Sequence, residues 1–198
     1  MTPKQIERIK KKIIVIKREL APDKRRCGGF FDDSRGLRYL PPELYLKLND
    51  YSGALRYFNW FKKNFPDDIG FPIFLFEWTI TLFKTQQIKE AEKKALQTFS
   101  SNIYLLDKFL EKESLEINKL ENSNWASADL VQNLQYSKDK KELTEFADWL
   151  GIFVTNEKFC KFANKFIELK VKLKMEPVGQ KRTALVFELI NLVEYIDK

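Results

Sequence analysis

Apolar residues in this chain recur at helical spacing along most of its length, and nowhere at the spacing of a strand. Ile6, Ile9, Ile13, Ile16 and Leu20 follow one another at intervals of 3, 4, 3 and 4, and so do Phe159, Phe162, Phe166, Leu169 and Leu173. That spacing stacks side chains on one face of an α-helix. No segment alternates convincingly at period two. Seven glycines and seven prolines in 198 residues also leave little material for the many turns of an all-β fold. The expected fold class is therefore all-α. A chain of this length suffices for one substantial core and is short for two, so 1–198 is read as a single domain.

The pattern divides into a basic amphipathic helix over 1–20, a pair of helical hairpins over 35–103 and a helical extension over 104–198. Pro3 suits a first helical turn and Thr2 can cap it. Ala21-Pro22-Asp23 is expected to end that helix, because a residue before proline is pushed out of the helical region. The stretch RRCGGFFDDSRG, Arg25 to Gly36, joins it to the first hairpin. Turns are expected at Asn49-Asp50 and Thr85-Gln86-Gln87. Beyond the hairpins, helices are predicted at about 103–117, 125–136, 140–153, 157–175 and 183–197, with Asp139 and Glu142 spaced as a capping box. Trp60, Trp78, Trp125 and Trp149 each sit in an apolar helical pattern and are assigned to the core.

Ala54, Phe58 and Pro66 stand at separations of 4 and 8, with Tyr45 nine residues before Ala54; Ala91 and Ala95 repeat the pattern, preceded by Leu75, Trp78 and Leu82. This resembles a tetratricopeptide repeat in two degenerate copies within about 35–103. The 37 residues from Ala54 to Ala91 exceed the roughly 34 of a regular repeat, which implies a small insertion near Asp67 to Gly70. Pro41-Pro42 and Thr79 depart from the family pattern. The resemblance implies stacked antiparallel hairpins whose first helices line a concave groove for a peptide or helix of another protein. It places Tyr39, Glu43, Leu46 and Lys47, then Phe76, Ile80, Phe83 and Lys84, along that groove. These residues lack the lysine and asparagine set of the family's chaperone-tail clamps, and an apolar partner segment fits them better.

The chain has no histidine and two cysteines, Cys27 and Cys160, far apart in sequence. That removes histidine-assisted nucleophiles, histidine-ligated metals and four-cysteine sites. No GxxxxGK[ST] or GxGxxG phosphate loop occurs. The expectation is a non-enzymatic protein without a cofactor. The longest N-terminal apolar run, Ile13 to Ile16, is too short for a signal peptide core, and no run nears the roughly 18 residues of a membrane span. A cytoplasmic protein with free thiols is expected. A composition rich in Lys, Asn, Ile and Phe suggests a bacterial source, where such adaptors include chaperones, scaffolds and toxin-neutralising proteins.

The formal charge is +7. Residues 1–28 hold ten Lys or Arg against three acids, so the whole excess lies there and residues 29–198 balance at 25 each. Lys4, Arg8, Lys11, Arg18, Arg25 and Arg26 are the candidate anion-binding residues of this arm. Nucleic acid is accordingly the alternative partner. Membrane binding fits less well, because the helix has no Trp or Phe anchor. Gly28-Gly29 beside the two arginines admits an anion nest. A plain turn, with Phe30 and Phe31 anchoring it, accounts for the same residues and is the reading adopted.

Overall fold

The structure, a computed structural model, describes residues 1–26, 35–113, 116–132 and 134–196, and the side chains of all of these except 22–26. It is all-α, with no strand among the described residues. The helices are α1 (Pro3–Arg26), α2 (Pro41–Lys47), α3 (Tyr51–Asn64), α4 (Pro72–Lys84), α5 (Ile88–Ser101), α6 (Leu105–Leu110), α7 (Thr144–Phe153), α8 (Glu157–Met175) and α9 (Gln180–Glu194). Short 3-10 turns precede α2 at Leu37–Tyr39 and α7 at Lys141–Leu143.

Helix α1 begins as expected. The Thr2 amide donates to Gln5 Oε1 at 2.7 Å and the Gln5 amide to Thr2 Oγ1 at 3.3 Å, a reciprocal cap that satisfies two of the orphan donors of the first turn. The helix does not stop at Ala21-Pro22 but continues to Arg26. Pro22 forfeits the bond to the Arg18 carbonyl. Arg18, Glu19 and Ala21 are exposed, so water can take the freed acceptor. Ile13, Ile16 and Leu20 bury against α2 and the turn before it, while Ile6 and Ile9 are only half-covered. The joint at 27–34, with Cys27, lies outside the described residues, as do the side chains of Arg25 and Arg26.

The two hairpins form where the doubled pattern placed them. Asn49 and Gln86, with φ of 54° and 63°, make the left-handed steps that reverse the chain after α2 and α4. Asp50 caps α3 by accepting from the Gly53 amide at 2.8 Å. A Cβ on Gly53 would lie 2.7 Å from the Tyr45 ring, so glycine permits the close approach of α2 to α3. Ala54, Ala91 and Ala95 are fully buried. Helix α4 packs on α2, α3 and α5, and its inner aromatics bind the layers together: Phe58 and Trp78 stack at 4.7 Å, and Phe74 meets Phe58 edge-on at 5.1 Å. The lengthened connection is used structurally. Asp68 accepts from Arg38 Nε at 2.7 Å and from the Tyr39 hydroxyl at 2.6 Å.

The chain between α5 and α7 differs most from expectation. Helix α6 ends at Leu110, because Glu111 turns left-handed (φ 54°) and the next amide closes back on the Asp107 carbonyl. Among the described residues of 125–136 no α-helix forms. Asn102 Nδ2 donates to the carbonyls of Trp125 and Ser127 at 2.7 and 2.9 Å, and Lys119 Nζ takes the Ala126 carbonyl at 3.0 Å. These side chains occupy acceptors that a helix would need, and two 3-10 turns result. Trp125 is half-exposed rather than core. The capping box at Asp139 is absent too; the Asp139 amide donates to Ser137 Oγ instead. By contrast α8 spans Glu157–Met175, with Asn156 capping it through the Phe159 amide at 2.7 Å. Its lysines pair with neighbours, Lys161 with Glu157 and Lys165 with Glu188, as a solvated face does.

Candidate functional site

Helix α4 is the floor of the candidate site. It runs PIFLFEWTITLF, apolar except for Glu77 and its threonines, and it is buried on nearly every side. Thr79 and Thr81 satisfy their hydroxyls on carbonyls one turn back, Leu75 and Glu77, which lets polar residues sit inside such a helix. On the side facing α2, Glu43 and Lys47 form an ion pair one helical turn apart.

The C-terminal extension folds over the other side of α4. Phe76 lies 5.0 Å from Phe109, 5.8 Å from Tyr136 and 5.7 Å from Phe146. Phe83 lies 5.5 Å from Phe146 and 5.0 Å from Trp149. Lys84 Nζ reaches Glu145 on α7 at 3.2 Å. The expectation that Phe76 and Ile80 face an open groove is thus corrected: both are 0 % exposed, because segments far along the chain supply an apolar cover. Leu46 is buried as well. Tyr39 is half-buried with its hydroxyl committed to Asp68, and its pKa is pushed up to about 12, first by burial and then by that carboxylate. Glu43, Lys47, Phe83 and Lys84 form the rim that remains at least partly accessible.

One contact pins the cover that residue-by-residue reading did not anticipate. The Tyr136 hydroxyl donates to Glu77 Oε1 at 2.6 Å. Burial raises the Glu77 carboxyl to about 8, the Tyr136 bond opposes that rise, Glu43 adds to it and Lys47 relieves it. Tyr136 is itself raised, chiefly by burial and next by Glu77. Glu77 therefore carries its proton at neutral pH, and a neutral carboxyl in an aromatic core costs far less than a charged one. The signal for Glu77 was present in the sequence, as the single acid of a helix whose other polar residues are Thr79, Thr81 and the terminal Lys84. The partner, 59 residues away, had no local signal.

The arm residues are scattered along the outer faces of α1. Lys4, Arg8, Lys10, Lys12 and Arg18 are exposed and make no ion pair among the described residues; Lys11 pairs with Glu7 at 3.0 Å, and Lys17 lies over the rings of Tyr45 and Tyr57. A surface cleft of about 590 Å³ lies beside the 116–129 strap, lined by lysines and acids in similar number, including Lys119, Lys174, Glu116, Glu121 and Asp129. The Lys119 ammonium is already satisfied by Glu121 and the Ala126 carbonyl. No group of three or more metal-ligating side chains occurs among the described residues, and no helix there is long and apolar enough to cross a membrane. Cys160 is a free thiol, half-buried near the Val154 carbonyl.

Compared with known protein families, curated proteins and solved structures, the chain finds no match in any of the three.

Proposed function

We propose that this chain is a non-catalytic interaction protein, built on two tetratricopeptide-like hairpins, that takes an apolar helix or peptide of another protein at the rim of the α2–α4 face that its own C-terminal segments leave accessible. One observation carries the reading. That face already receives apolar side chains of a helix in cis, with Phe146 and Trp149 of α7 against Phe76 and Phe83. The neighbour relations of α4 with α2, α3 and α5, and the buried Ala54 and Ala91, support the repeat-like arrangement. A partner engages the accessible rim at Glu43, Lys47, Phe83 and Lys84. Retention of a partner by the full-length chain at physiological salt is expected to fall about tenfold or more in Lys47→Glu with Phe83→Ala, the loss typical of central interface residues. Affinity purification from the native host with mass spectrometry measures it. Retention of no protein, or equal retention by both forms, contradicts the reading.

Nucleic acid is the second reading, favoured by the exposed cations on α1 that lack an ion pair among the described residues. The changes Lys4→Glu, Arg8→Glu, Lys11→Glu and Arg18→Glu spare the buried Ile13, Ile16 and Leu20. On this reading a labelled duplex binds with a log–log salt slope of about −0.9 per phosphate contacted, and the reversed variant loses binding. Fluorescence anisotropy at two salt concentrations decides it; no binding by the unaltered chain at low salt ends this reading.

A further inference from the structure

Seven polar or charged side chains are buried among the described residues, and six of them have partners that account for them. Glu77 accepts from Tyr136, and Thr79, Thr81 and Thr98 donate to carbonyls one turn back. Asn102 holds the carbonyls of Trp125 and Ser127, and Lys119 holds Glu121 and the Ala126 carbonyl. The seventh is Lys170 on α8, 6 % exposed, which makes no side-chain hydrogen bond or ion pair among the described residues. A buried polar group left unpaired is costly and calls for a reason. Leu169 and Leu173 are buried beside it, and the Phe166 ring lies 5.9 Å from its Nζ. The strap crosses α8 at this point, the Leu120 amide donating to the Lys170 carbonyl at 3.0 Å, and it brings Lys119 close. The Lys119 side chain is 1 % exposed and bonds Glu121 at 2.8 Å. Two buried amines thus share one carboxylate, and that carboxylate is committed to Lys119.

We propose that Lys170 presents a neutral amine that forms a Schiff base with a small anionic aldehyde or 2-oxo acid entering beside the strap. Burial lowers the Lys170 pKa first, Lys119 lowers it further, and Glu121 opposes this. Those two are the charged groups facing it from the strap; α5 and α9, also packed on α8, set none against it. A desolvated amine beside a second cation is the environment that makes a lysine nucleophilic. Every fully enclosed side-chain nitrogen or oxygen among the described residues has a partner. Lys170 Nζ has none, so it keeps an edge open to water and to a small reagent. The amine lone pair attacks the carbonyl carbon, and the resulting carbinolamine loses the former carbonyl oxygen as water with both amine hydrogens. A C=N bond remains, and nothing is oxidised or reduced. The cleft of about 590 Å³ gives room for the approach, and its wall includes Lys119 and, one turn along α8 from Lys170, Lys174. Glu116, Glu121 and Asp129 in the same wall favour a ligand with one negative charge over a multiply charged one.

Reductive trapping of the full-length chain with glyoxylate and cyanoborohydride, read lysine by lysine by peptide mass mapping across pH, tests this. Lys158, exposed on the same helix, is the reference. Each unit by which an amine's pKa falls raises its neutral fraction at pH 7 by about tenfold. Lys170 is therefore trapped about tenfold or more faster than Lys158 at pH 7, and its rate levels off at a lower pH. Urea abolishes the difference. Uncharged acetaldehyde favours Lys170 over Lys158 less than glyoxylate does. Lys119→Met moves the levelling-off at Lys170 to higher pH, which accessibility alone would not do. Should that variant lose its helical signal, the pH profile of the unaltered chain carries the test. Trapping no faster at Lys170 than at Lys158, rates that rise in parallel with pH, or an adduct at Lys170 only in urea overturns the proposal. An equal preference with acetaldehyde overturns the choice of an anionic ligand.

Discussion

Phe146→Ala is expected to destabilise the chain by about 3–5 kcal/mol, the range for removing a fully buried phenylalanine. The ring is 0 % exposed and touches Phe76, Phe83, Phe109 and Trp149, so one truncation empties the junction of α4, α6 and α7. The loss combines transferred apolar area with the cavity left behind, since four rings held by other neighbours cannot all collapse inward. Urea unfolding of the full-length chain measures it as a lower midpoint at unchanged slope. A loss under about 1 kcal/mol would place Phe146 at a surface rather than in a core.

Glu77→Gln is expected to stabilise the chain, by on the order of 3 kcal/mol at pH 7. In the folded chain the Glu77 carboxyl titrates at about 8, against 4.5 for its ordinary value. Below 4.5 the group is protonated in both states and its ionisation adds nothing. Between 4.5 and 8 the unfolded chain has released the proton and the folded chain has kept it. Folding then takes up a proton, and stability falls as pH rises, by about 1.4 kcal/mol per unit. Above 8 both states are ionised and the penalty is constant. Glutamine removes the titration while leaving a carbonyl to accept from Tyr136. The variant and the unaltered chain should thus nearly coincide at about pH 4 and diverge steadily to about pH 8. The groups facing Glu77 are Tyr136, Glu43 and Lys47. A stability difference that is flat across that range would contradict burial of this carboxyl.

How far the molecule could be read from its residues depended on how local the deciding forces were. Helix α8 was legible from end to end, because its apolar spacing and the breaker after it act within a few residues. The hairpins were legible through Ala54 and Ala91, where a small side chain is demanded by the packing of adjacent helices. The strap at 116–129 was not. Its conformation is set by Asn102 and Lys119, whose bonds to carbonyls 23 to 25 and 7 residues away compete with helix formation. Pro22 misled in the opposite direction, since a proline rule that holds on average gives way in an exposed stretch of α1. Of the groove positions, Glu43, Leu46 and Lys47 lie on α2 and Phe76, Ile80, Phe83 and Lys84 on α4, while Tyr39 lies in the 3-10 turn before α2; nothing local signals that Phe109, Tyr136 and Phe146 return to cover Phe76. Coverage by distant segments is a property of the whole chain.

The central claim is that the face of α4 bearing Phe76 is occupied by the chain's own C-terminal half. Nuclear Overhauser contacts in the full-length protein test it most directly. The ring protons of Phe76 should show contacts to the rings of Phe109, Tyr136 and Phe146, whose centroids lie 5.0–5.8 Å away. The stacked pair Phe58 and Trp78, at 4.7 Å within the hairpins, serves as the reference. Contacts at both places are the predicted result; reference contacts present with no contact from Phe76 to any of the three would contradict it.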